Sequence, residues 1–128
     1  MKEKLSTMSP DEIKKAHELH NKAMYKVEIA IIEKHTKGGD PEKVKKLYAE
    51  AFELERQAAE MVPIAAENEP SRSILYRSAA NMAFNANMDY EAKEMCNVGL
   101  AGNPPQEIRN EIMGLLNTIQ AMEHNEVI

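Results

Sequence analysis

Four times in this chain a residue able to cap a helix stands just ahead of proline. The segments are Ser9-Pro10-Asp11-Glu12, Asp40-Pro41-Glu42, Asn68-Glu69-Pro70 and Asn103-Pro104-Pro105-Gln106. Proline has no amide donor and a φ already close to the helical value, so it suits the first turn of a helix and breaks later turns. A Ser, Asp or Asn before it can accept a bond from the unpaired amides of that turn. Each segment therefore predicts a helix start, and Glu12 completes a capping box with Ser9. Asn87-Met88-Asp89 adds a turn, with Asp89 expected to cap a further helix. Between these marks lie Ala, Glu, Lys, Leu and Met, and only five glycines. No segment alternates apolar and polar residues as a half-buried strand would. The expected fold class is all-α, with about five helices.

The first helix should run from Pro10 to about Lys37, where Gly38-Gly39 stops it. Its apolar stripe is Ile13, Ala16, Ala23, Met24, Val27, Ala30 and Ile31, at helical spacings, with Ile29 and Ile32 off the stripe. That second apolar side predicts another contact, and self-association is one expectation. The second helix should carry Val44, Leu47, Tyr48, Ala51, Leu54, Ala58 and Met61 or Val62, and end at Pro63. These helices of about 28 and 22 residues would span about 40 and 33 Å and fold back on each other across the Gly-Gly link. The third helix is expected over 70–86, the fourth over 89–101, and the fifth carries Ile108, Ile112, Leu115, Leu116, Ile119 and Met122. Residues 1–9 and 123–128 are expected to be flexible ends of a single domain spanning 1–128.

The 128 residues carry a net charge of −5, but it is unevenly spread. Residues 1–46 hold eleven lysines and eight acids; residues 47–128 hold thirteen acids and five basic residues, four of them Arg56, Arg72, Arg77 and Arg109. An acidic balance argues against nucleic acid as a partner, because phosphate contacts dominate that affinity. No apolar run is long enough to cross a membrane, and Met1 to Ser9 lacks the apolar stretch of a secretory signal. The one cysteine, Cys96, allows no internal disulfide, so the expected compartment is the reducing cytoplasm.

Residues 73–106 resemble one tetratricopeptide repeat, the helix–turn–helix unit of 34 residues. Tyr76 stands at the large aromatic position, Ala80 and Ala92 at the small crossing positions, Gly99 at the second small position of the later helix, and Pro104 at the closing proline. Ala79, Ala83, Cys96 and Asn87 replace the usual Leu, Tyr, Phe and turn Gly, so the unit is degenerate. The stretch from Glu69 to Ala80, with Asp89-Tyr90-Glu91-Ala92 and Gly102-Asn103-Pro104-Pro105, is also similar to small bacterial proteins of tetratricopeptide-like fold. The resemblance implies a bacterial cytosolic scaffold, and the expected architecture is the long N-terminal hairpin packed on this one unit, with the fifth helix as a cap. The resemblance also implies a groove along the unit's first helix, with Arg72, Ile74, Arg77, Asn81, Phe84 and Asn85 as its candidate peptide- or ligand-binding residues. Arg77 and Asn81 resemble the cation–Asn pair by which clamp-type repeats hold a peptide's terminal carboxylate, a sensible match of guanidinium fork to anion.

Other constellations point to less. His17 and His20 are one turn apart and could share a metal, but the further ligands are missing from any recognisable motif, and a hydrogen-bonded His at a helix seam is the simpler expectation. Cys96 reads as a buried thiol. No Gly-x-Ser-x-Gly, phosphate-cradling loop or His-Glu-x-x-His occurs, so neither an enzyme nor a cofactor or metal is expected. The expected function is a scaffold that binds a protein or peptide partner. The alternative is a small-ligand protein or enzyme using a cleft with Arg72, Arg77 and His20.

Overall fold

The computed structural model describes residues 8–127. Among them are five α-helices and no strand: α1 Pro10–His35, α2 Pro41–Glu60, α3 Ser71–Asn85, α4 Asp89–Ala101 and α5 Gln106–Val127, with a short 3-10 turn at Ala66–Asn68. The fold is all-α. Residues 1–7 of the expected flexible lead, and Ile128, lie outside the described residues.

Local chemistry sets most boundaries. The Ser9 side chain accepts from the Glu12 amide at 3.1 Å while Glu12 Oε1 accepts from the Ser9 amide at 2.8 Å, closing the capping box. α1 stops at His35, two residues short of the expectation, because Thr36 already leaves the helical region and its Oγ1 bonds back to the Ile32 carbonyl. Gly38 then takes a left-handed φ of 79°. Gly39 lies so close to the Glu33 carbonyl that a β-carbon would have no room. Asp40 caps α2 through the Glu42 amide. α2 ends at Glu60, ahead of Pro63, in a tightened last turn.

Three expected caps are corrected. Asn68 does not open α3; it belongs to the 3-10 turn and donates to the Pro63 carbonyl at 2.8 Å. Its role passes to Glu69, whose Oε1 accepts from the Ser73 hydroxyl at 2.7 Å and the Ser73 amide at 3.4 Å. Asp89 is the first residue of α4 and not its cap, a position taken by Met88. α5 begins at Gln106, past both prolines, with its first main-chain bond from Arg109 to Pro105. Asn103 instead donates its amide to Glu69 Oε2 at 3.3 Å, tying the start of α3 to the α4–α5 turn. The turn between α3 and α4 uses Asn87 at φ 62°, a conformation that Asn tolerates better than most residues. α5 continues past Met122 to Val127, and Lys93 of α4 pairs with Glu123 at 2.9 Å.

The helices stack in chain order. α1 and α2 form an antiparallel hairpin, α3 packs between α2 and α4, and α5 lies chiefly on α4 while reaching α3. α1 packs along α2, and its approach to α3 is far slighter. The main core gathers Phe52, Tyr76, Met95, Cys96, Ile108, Ile112, Leu116 and Ile119. Gly99 allows the α3–α4 approach, since a β-carbon there would stand 3.0 Å from Tyr76 Cβ. A second cluster joins Ala16 and Leu19 of α1 to Ala58 of α2. Among the described residues no helix is long and apolar enough to cross a membrane.

Candidate binding groove

The slight approach of α1 to α3 leaves two pockets along the line between them. At one end lies a half-open cavity of ≈ 370 Å³. Its apolar wall is Met8, Ile13 and Ala16 on the α1 side, Val62 after α2, and Ile74 and Leu75 of α3. Its polar groups are His17, His20, Glu67, Asn68 and Ser71. At the far end of the same α3 face, Asn85 borders a smaller pocket of ≈ 210 Å³ with Lys34, Val44 and Tyr48. Ile74 and Asn85 are eleven residues apart on one helix, so the two ends are separated by about 16 Å.

α1 lines this groove because its apolar stripe divides. The small residues Ala16, Ala23 and Ala30, with Leu19, are buried, while Ile13, Met24 and Ile31 remain 46%, 39% and 44% exposed. The expected stripe placed all of these but Leu19 on one buried seam. Large side chains at the edge of a seam cannot enter once alanines have brought the helix axes together. Ile32, off the stripe as read from sequence, is 66% exposed.

Under the cavity lies an ionisable pair. His20 Nδ1 is 2.9 Å and 3.0 Å from the two carboxylate oxygens of Glu55 on α2. Glu55 is fully buried. Burial pushes its carboxyl above the ordinary carboxylate range, partly offset by His20 and by a hydrogen bond from Ser78. The raised value follows from the cost of placing a negative charge out of water. Glu55 takes Nδ1, while the His20 side chain, 36% exposed, lines the cavity. His20 is thus a hydrogen-bonded histidine at a helix seam. Among the described residues no cluster of three or more His, Cys, Asp or Glu is placed to hold a metal.

The six residues expected along the first helix of the repeat-like unit do not form one surface. Ile74 lines the cavity and Asn85 the smaller pocket. Asn81 and Asn85 each donate to the carbonyl one turn back, of Arg77 and Asn81 respectively. Phe84 packs against the main core. Arg77 points the other way and pairs with Glu111 of α5. Arg77 and Asn81 therefore do not converge as a free carboxylate clamp.

Arg72 lines neither pocket. It is 3% exposed, lies over the Tyr76 ring at 4.8 Å, and donates from Nη2 to the Val98 carbonyl in the last turn of α4 at 3.1 Å. A cation at a helix C-terminus is well placed there. Its Nε and Nη1 have no hydrogen-bond partner among the described residues. Gly102 leaves it room, since a β-carbon would stand 2.6 Å from Nη1. The cleft of Arg72, Arg77 and His20 therefore does not exist as a unit.

Sequence reasoning missed Glu55. A signal was present: it falls four residues after Ala51 and three before Ala58, a charge on the apolar stripe of α2, and so in need of a buried partner. Cys96 is buried, and burial pushes its thiol up to about 11, which makes it inert as a nucleophile at neutral pH. Comparison of this chain with family models, curated proteins and solved structures finds no match.

Proposed function

We propose that this chain is a binding module for a peptide segment of a partner protein, held in the groove between α1 and α3. The observation that carries this is the half-open apolar cavity of ≈ 370 Å³ at one end of that groove. Interface hot spots are large side chains seated in such pockets. The exposed Met24 and Ile31 lie three and five turns along α1 from Ile13, on the same side, and extend the apolar edge beyond the cavity. The distance between the two pockets, about 16 Å along α3, matches about five residues of extended chain. The likeness of residues 73–106 to a tetratricopeptide repeat supports the same class of function, as does the buried single cysteine for a cytoplasmic setting. Fold analogy alone does not assign a function, so the groove carries the weight.

The test is selection from a random peptide display library on the full chain. Selected peptides should share one large apolar residue, and Ile13→Glu should lose at least tenfold in affinity with an unchanged circular dichroism spectrum. Ile13 is exposed enough for this change to leave the fold intact. Failure to select any sequence family, or selected peptides that bind Ile13→Glu as well as the parent, overturns the proposal.

One observation favours a second reading. The cavity falls within the size range of small-molecule sites, about 300–1,000 Å³, and has a fixed imidazole beside it. A small apolar ligand that raises the melting temperature, while no peptide is selected, would favour that alternative.

A further inference from the structure

We infer that a second copy of this chain covers the groove side of α1: the two α1 helices pack antiparallel about a two-fold axis, each laying the row Ile13, His17, His20, Met24, Val27 and Ile31 against the other. This rests on the α1–α3 groove being the binding face, and it makes the dimer the closed form of that face.

The row is written into α1. Its six residues follow one another at alternating intervals of four and three, the spacing of a seam between two helices. It is not the row that faces α2, where Ala16, Leu19, Ala23 and Ala30 are buried. Ile13, Met24 and Ile31 stay exposed, His17 and His20 line the cavity, and Val27 reaches the main core. An apolar row left open along most of a helix calls for cover.

The flanking residues point to a second copy as the cover. In an antiparallel pair Ile13 meets Ile31, His17 meets Val27 and His20 meets Met24, each pair symmetric about residue 22. Lys14, Asn21 and Glu28 recur every seven residues on one flank of the row, and all three are exposed. Flanking positions of this kind choose partner and orientation in paired helices. Lys14 and Glu28 are symmetric about residue 21. One axis near residues 21 and 22 therefore seats the apolar row and also sets Lys14 of each copy against Glu28 of the other. Asn21, uncharged, meets its own counterpart at the axis. Such a contact uses the same patch on both copies and closes on itself. Ile31 of the second copy then stands beside Ile13, at the cavity. The row is about 27 Å long, and a strip of one helix about 10 Å wide is small beside the about 800 Å² per partner of standard interfaces. The dimer should therefore be weak, with a dissociation constant on the order of 10–100 µM.

Analytical ultracentrifugation of the full chain, from about 5 to about 500 µM to bracket that constant, tests the inference. The parent should pass from monomer to dimer across the range. Lys14→Glu and Glu28→Lys each set like charges together twice, and each should weaken the dimer at least tenfold. The double variant exchanges the two charges and should recover the parent constant to within about threefold, a return expected only if the two residues meet. Ile32→Glu, exposed on α1 but off the row, should leave the dimer unchanged. Within one chain Ile13 and Ile31 are about 27 Å apart, so a nuclear Overhauser contact between their methyl groups can come only from two copies. A chain monomeric throughout the range, a double variant that stays dissociated, or a dimer lost in Ile32→Glu and kept in Lys14→Glu overturns the inference. Peptides selected on a chain that stays monomeric would keep the groove and remove the second copy. A dimer restored by the charge exchange, with no peptide selected, would keep the second copy and remove the peptide partner. Where both occur, a selected peptide should dissociate the dimer, and a peptide that binds the intact dimer overturns its role as the closed form.

Discussion

On α1 and α2 the fully buried positions are mostly alanines, Ala23, Ala30, Ala51, Ala58 and Ala59, with Phe52 as the large apolar side chain and the carboxylate of Glu55; on α3, α4 and α5 Met95, Cys96, Ile112 and Ile119 stand beside Ala79, Ala80, Ala83 and Ala92. Alanine brings two helices close but buries little area per residue, whereas a buried Ile or Met contributes about 1.5–3 kcal/mol. The C-terminal bundle therefore carries the larger share of apolar stabilisation. α1 keeps Ile13, Met24 and Ile31 exposed at its edge. Its seam also includes an ionisable pair, which is weak as a source of stability but strongly oriented. The main core reaches from Ala23 of α1 and Phe52 of α2 to Ile119 of α5, with more of its large side chains on the C-terminal helices.

The sharpest way to break this comparison is a matched pair of truncations. Ile112→Ala, at a position 1% exposed, should cost about 3 kcal/mol, in line with large-to-small changes in cores. Ile13→Ala should cost about 0.5 kcal/mol or less, as exposed substitutions usually do. Equal shifts in urea midpoint for the two would show that α1 contributes as much core as α5.

Next in expected size is the pH dependence of the α1–α2 seam. Glu55 has a raised carboxyl in the folded chain, so the folded state holds its proton more tightly than the unfolded state. That contribution is fully present below the ordinary carboxylate pKa of 4.5 and is lost as pH rises through the folded value. Urea midpoints measured upward from pH 4.5 should therefore fall less steeply in Glu55→Gln than in the parent. Parallel curves would mean that the carboxylate is not desolvated in solution.

Ser9→Ala removes the capping box of α1 and should cost about 1 kcal/mol. Hydrogen exchange should quicken in the first turn of α1 and leave α4 unaffected, if the two halves open separately. The smallest effect belongs to Arg77→Ala. Its partner Glu111 is half exposed, and such surface pairs are worth about 0.2–1 kcal/mol. Peptides selected on the groove should bind this variant as they bind the parent. A large loss of binding would return Arg77 to the binding face and undo the assignment to α5.

Residues near one another in sequence were read well. Ser9, Pro10 and Glu12 make one capping box, Asp40 caps α2, and Gly38-Gly39 forms the expected break, since each involves groups only a few residues apart. The three misplaced caps, Asn68, Asp89 and Asn103, show where that reasoning stops. Glu69 serves the start of α3 and also reaches Asn103, 34 residues on, so a distant turn decided which side chain caps. Arg72 and Arg77 stand five residues apart and read alike in sequence. One is buried under α4 and the other spans to α5, because α3 is enclosed on several sides and turns each arginine toward a different neighbour.

The sequence by itself determined the five helices and the hairpin, because capping, proline geometry and helical periodicity act over one or two turns. Which members of an apolar stripe are buried depends on how closely two helices approach, and the alanines of α1 and α2 decided that only together. The pairing of His20 with Glu55 joins residues 35 apart, and no local pattern names such a partner. The groove likewise exists only because α1 lies on α2 and away from α3, a consequence of tertiary packing.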